Sequence, residues 1–131
     1  MALGHPFNWH HFELHLCTSE AAYKRLLKRI KFPLALADPW LLDDAGAATH
    51  EVQPDGDARA HVIVCIPLPK SEEDRWTLIG LLVHEAVHVW QAVRDHISEQ
   101  NPSSEFEAYA VQSAFEKLLA EYRKQIDKAK K

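Results

Sequence analysis

Between Trp76 and Val93 the chain carries twelve apolar residues in eighteen positions, and no stretch constrains the fold more. Laid out at about 100° per residue, these side chains cover nearly the whole circumference of a helix, which predicts a rod that is central and buried. Inside it stand His84, Glu85 and His88. Two imidazoles and a carboxylate in an apolar core are costly unless something satisfies them, and a metal ion would do so. The spacing suits that role. His84 and His88 lie four apart, so they project from one face a turn from each other and can reach one cation. Glu85 sits about 100° round from His84, placed to touch a water on the ion without ligating it.

A third protein ligand is needed, with one position left open for water, and the next segment offers two candidates. His96 to Pro102 is short enough to predict an antiparallel pair of helices, which returns Ser104-Glu105-Phe106-Glu107 to the side of the histidines. The core face of this last helix is set by Ala108, Val111, Phe115, Leu119, Tyr122 and Ile126, and Glu105 and Glu107 flank it at similar angles. Glu105 is the preferred ligand because Tyr109, one turn on, can support it from behind. Glu107 is the substitute. It also completes a capping box with Ser104, and an acidic first turn complementing the helix dipole explains either residue without a metal.

These residues carry a resemblance. His84-Glu85-Ala86-Val87-His88 followed by Glu105-Phe106-Glu107-Ala108-Tyr109 resembles the gluzincin metallopeptidases, whose third ligand is a glutamate on a later helix, often within E-x-x-A. Both Glu105 (with Ala108) and Glu107 (with Ala110) fit, although Tyr109 stands where larger members usually have an aspartate. The similarity covers roughly residues 59 to 122 and is to the minimal versions, including small bacterial and phage-encoded ones. It implies a zincin-like α+β fold, one Zn²⁺ on His84, His88 and Glu105, and a peptide or protein substrate. Hydrolysis would use Glu85 as general base. It also implies an edge strand to receive an extended peptide, expected in Arg59–Ile66, and an oxyanion donor, for which Tyr109, His61 and His96 are candidates. A second reading is a zinc-stabilised structural or assembly protein that keeps the motif without turnover; the retained Glu85 argues against it. A third is a non-haem iron site, although such triads usually sit on strands.

Around this centre the chain reads as one domain, residues 1–131, in which a small antiparallel hairpin sheet packs on the motif helix and the long last helix. Phe12, Leu14 and Leu16 alternate like a half-buried strand. Thr18-Ser19-Glu20 opens a helix through about Ile30, with Pro33 as its stop, and residues 33 to 46 read as loop. Ala48–Gln53 and Arg59–Ile66 form the hairpin around Pro54-Asp55-Gly56-Asp57. Ser71 and Asp74 cap the motif helix, which runs to about His96, and the last helix opens at Asn101-Pro102 or Ser104 and runs to about Lys128. Fifteen basic against nineteen acidic residues give a formal charge of −4, which disfavours a grip on nucleic acid phosphates. No apolar run approaches the ~20 residues of a membrane helix, and no signal peptide is evident. With only Cys17 and Cys65, the expected setting is cytoplasmic, or virion-associated if the source is a phage. Of nine histidines, His5, His10, His11 and His15 crowd the start and are expected in loop or surface roles.

Overall fold

The computed structural model describes residues 12–42, 45–96 and 104–130. Three strands, β1 (Phe12–Cys17), β2 (Ala48–Val52) and β3 (Ala60–Cys65), form one sheet in the order β1-β3-β2. Among the described residues the helices are α1 (Glu20–Arg29), α2 (Glu72–His96) and α3 (Ser104–Ala129), with a 3₁₀ turn at Leu34–Leu36. The sheet is mixed rather than antiparallel. β2 pairs antiparallel with β3 as the expected hairpin, but β1 runs parallel to β3, with Glu13 opposite His61 and Cys17 opposite Cys65. The reason is α1, which supplies the crossover that parallel neighbours require.

The two-residue period of the strands sorts the chain into three layers. Leu14, Leu16, Val62 and Val64 face α2 and α3, packing on Leu82, Ala86, Val89, Ala114, Leu118 and Tyr122. Cys17, Ile63 and Cys65 face the other way, onto Tyr23, Leu26 and Leu27 of α1. β3 is buried at every position, because both its edges are paired and both its faces are covered; this explains its unbroken run of β-branched residues. Cys17 and Cys65 are buried, free thiols.

Local chemistry sets the ends of the elements. Ser19 caps α1 by accepting from the Ala22 N–H. That helix ends at Arg29 without waiting for Pro33: Lys31 takes φ 64° and the Phe32 N–H returns to the Leu27 carbonyl. In the hairpin, the Asp57 N–H closes on the Pro54 carbonyl, with Gly56 at φ 80°. At the head of α2 the Ser71 hydroxyl accepts from the Asp74 N–H, and the Asp74 carboxylate accepts from the Lys70 N–H.

α2 and α3 are antiparallel: Trp90, late in α2, packs with Ala110, early in α3, and the Tyr122 hydroxyl near the end of α3 donates to the Pro67 carbonyl just before α2. One expectation fails here. α2 is not buried all round, since Trp76 is 67% exposed and Val83, Val87, His84 and His88 are exposed with it. The sheet and α3 cover two sides of the helix, and nothing among the described residues covers the third.

Candidate functional site

Along the uncovered side of α2, a cleft of about 400 Å³ opens between the helix and β2, lined by Leu42, Ala48, Thr49, His84, Glu85 and His88 among others. β2 is the outer strand of the sheet among the described residues, and Ala48, Thr49 and Glu51 of it line the cleft. β3 is the central strand and offers no edge, which removes it as the strand that receives a peptide. The approach to β2 is held close to α2: a Cβ on Gly46 would stand 2.7 Å from Leu81 Cδ1. Upstream, Tyr23 donates to the Asp38 carbonyl and His50 Nε2 lies 3.0 Å from the Trp40 carbonyl, pinning the loop that ends at Leu42.

His84 Nε2 and His88 Nε2 stand 3.2 Å apart. That is close to the edge of a tetrahedron with arms of about 2.0–2.1 Å, roughly 3.3 Å. Rings aimed straight at each other across such a gap would have centroids roughly 5.5 Å apart. Here the centroids are 4.8 Å apart with the planes at 75°, so the two rings do not meet head-on. The Gln91 Oε1 lies 3.0 Å from His88 Nδ1 and accepts its N–H, which leaves Nε2 as the lone-pair nitrogen. Gln91 thus has a role that the sequence reading missed; its signal is position, one turn beyond His88.

Both imidazoles are exposed, so water can satisfy them, and the argument that burial demands an ion does not hold for them. The buried member is Glu85, 4% exposed, whose Oε1 accepts from the Thr49 hydroxyl at 2.8 Å. β2 therefore holds the carboxylate at the floor of the cleft.

The residues expected from α3 sit differently. Glu107 Oε2 accepts from the Trp90 indole N–H at 2.8 Å and lies 4.0 Å from Arg94, so that carboxylate is engaged within the helix pair. Glu105 is exposed in the first turn of α3. Among the described residues, neither carboxylate joins His84 and His88 in a group whose ligand atoms all lie within 4.8 Å. Tyr109 is 58% exposed and is not part of the cleft wall. His61 lies on the α1 side of the sheet, away from the cleft, and the His96 side chain is outside the described residues, as are His5, His10 and His11.

A second constellation was not anticipated. Glu13 and His15, alternate residues of β1, share a face with His61, the register partner of Glu13 on β3. His15 Nε2 is 3.0 Å from His61 Nδ1, and Glu13 Oε2 is 3.7 Å from the first and 3.8 Å from the second. Both histidines are 2% exposed. Burial, reinforced by His61, pulls His15 down to about 3, so its imidazole is neutral at ordinary pH. His61 Nε2 donates to Asp57 Oδ2 at 2.9 Å, and Asp57 Oδ1 accepts the Arg59 N–H at 2.9 Å. That pair of bonds, first the one from His61, holds Asp57 below the usual carboxylate range. Arg59 also pairs with the other oxygen of Glu13. The Glu13–His15–His61 cluster has the donor atoms to coordinate one metal ion. His15, expected in a loop or surface role, is instead buried on β1. The missed signal is the alternation Glu13-Leu14-His15, which brings two donors to one face of a strand.

Comparison with protein-family models, with curated proteins and with solved structures finds no match. The α+β fold and the metal-capable cluster therefore stand on the geometry alone. Among the described residues, no helix is long and apolar enough to cross a membrane.

Proposed function

We propose that the cleft between α2 and β2 is a zinc-dependent hydrolytic centre for peptide bonds. The observation that carries the reading is the 3.2 Å approach of His84 Nε2 and His88 Nε2 in one cleft with the Glu85 carboxylate, walled by the outer strand of the sheet among the described residues. His84 and His88 would hold the ion, with Glu105 as third ligand; Glu107 could serve only by giving up Trp90. Bound zinc lowers the pKa of a coordinated water and polarises a carbonyl. Glu85 is the general base: Thr49 occupies its Oε1, which leaves the other oxygen to take the proton and return it to the leaving amine. Gln91 keeps His88 in the ligating tautomer. The outer edge of β2 supplies main-chain donors and acceptors on which an extended peptide or unfolded protein segment can lie.

A zinc-stabilised scaffold is the second reading. The Trp90–Glu107 bond favours it, because one of the two candidate third ligands already has a structural task. Zinc analysis and digestion of a peptide library separate the two. Glu85→Gln retains the metal and loses cleavage, while His84→Ala loses the cleft ion and cleavage together. Cleavage by Glu85→Gln at the wild-type rate would refute the general-base role, and no cleavage by the zinc-loaded wild type would leave the scaffold.

A further inference from the structure

We infer that Glu13, His15 and His61 form a second metal site, one that binds a divalent transition-metal ion between β1 and β3, apart from the cleft. The circle through Glu13 Oε2, His15 Nε2 and His61 Nδ1 has a radius of about 2.05 Å, within the range of zinc–nitrogen and zinc–oxygen bonds. An ion at or just above that plane stands at bonding distance from all three atoms, and the two rings, which face each other in this structure, must turn toward it.

The surroundings are those of a ligand set. His61 gives its Nε2–H to Asp57, which fixes Nδ1 as the lone-pair nitrogen and makes the ring a stronger donor. The turn that carries Asp57 is closed by its own N–H on Pro54, and the Arg59 N–H holds the carboxylate in place. Arg59 takes one oxygen of Glu13 and leaves Oε2 facing the two rings. Two neutral imidazoles and one carboxylate suit Zn²⁺, Co²⁺ or Fe²⁺.

The metal-free state leaves one atom of the cluster unsatisfied. His15 Nδ1 is buried and has no hydrogen-bond partner among the described residues. With the ring centroids 5.2 Å apart, His15 Nε2 and His61 Nδ1 face each other almost head-on, as in an N–H···N bond. A proton on Nε2 leaves Nδ1 an acceptor with nothing to accept. When the ion enters, that proton moves to Nδ1, the Nε2 lone pair turns to the metal, and the Glu13 carboxylate neutralises half of the ion's double charge. The site clamps β1 to β3 across the parallel seam and needs no cleft.

The test uses the full chain, stripped with a chelator, and the double variant His84→Ala/His88→Ala, which removes the cleft ligands from the count. It is therefore independent of the hydrolytic reading. Titration with Co²⁺, followed by visible absorption and by the midpoint of thermal unfolding, is expected to show one bound ion in the double variant and a raised midpoint. On that background Glu13→Gln and Asp57→Asn each weaken Co²⁺ binding by about 10- to 100-fold. Circular dichroism checks both folds; if Glu13→Gln unfolds, Asp57→Asn decides. No Co²⁺ spectrum in the double variant would overturn the site and leave a proton-sharing histidine pair. So would a spectrum whose affinity neither substitution changes.

Discussion

Thr49→Val tests whether β2 holds the Glu85 carboxylate in place. The substitution keeps the volume and the β-branched shape of the side chain, so it opens no cavity and suits the strand. It removes only the hydroxyl that donates to Glu85 Oε1 at 2.8 Å. Glu85 is 4% exposed, and water has poor access to replace that donor. Hydrogen bonds to charged groups contribute about 1.5–3 kcal/mol, and the buried acceptor is left unsatisfied. Urea unfolding should therefore show a loss of about that size, and with a slope of roughly 1.5 kcal/mol/M the midpoint falls by about 1–2 M. Thr49→Ser keeps the donor and should lie within about 0.5 kcal/mol of wild type. A Thr49→Val protein as stable as wild type, or a Thr49→Ser protein as weak as Thr49→Val, would refute the reasoning.

Further outcomes follow from other contacts. Glu107→Ala deprives the Trp90 indole of its acceptor and costs about 1–2 kcal/mol, whereas Glu105→Ala leaves stability unchanged; both are read by urea unfolding. Zinc analysis of the same two proteins, each made with Glu13→Gln, should show loss of the cleft ion only for Glu105→Ala; loss only for Glu107→Ala would pass the ligand role to that residue. Burial pushes Tyr122 up to about 12, with Asp74 adding to the shift. The folded chain thus keeps a proton that the unfolded chain releases from about pH 10, so this stabilisation is full below pH 10 and is lost as pH rises toward 12. Tyr122→Phe should flatten the fall in stability over that window. Cys17 is likewise raised by burial to about 11, and Cys65 is shifted further in the same direction; both thiols should resist alkylation at pH 8 until urea unfolds the chain.

Much of this molecule is local enough to be legible in its residues. Strand alternation at Phe12, Leu14 and Leu16, the Ser19 and Ser71 caps and the Pro54–Asp57 turn all act within a few positions, and the elements appear where those signals stand. The i,i+4 spacing of His84 and His88 likewise brings two nitrogens together whatever surrounds the helix.

What one-dimensional pattern could not supply was the neighbour of each face. An apolar circumference does not say that α2 has only two covered sides, so the histidines came out exposed and Glu85 buried. Periodicity left Glu105 and Glu107 equivalent, and only the helix pairing gave Glu107 to Trp90. The Glu13–His15–His61 cluster depends on a parallel register across 46 positions of chain, fixed by the α1 crossover and by which face each strand turns to the core. Spacing along a helix belongs to the sequence, whereas a site assembled from two strands exists only once the strands have paired.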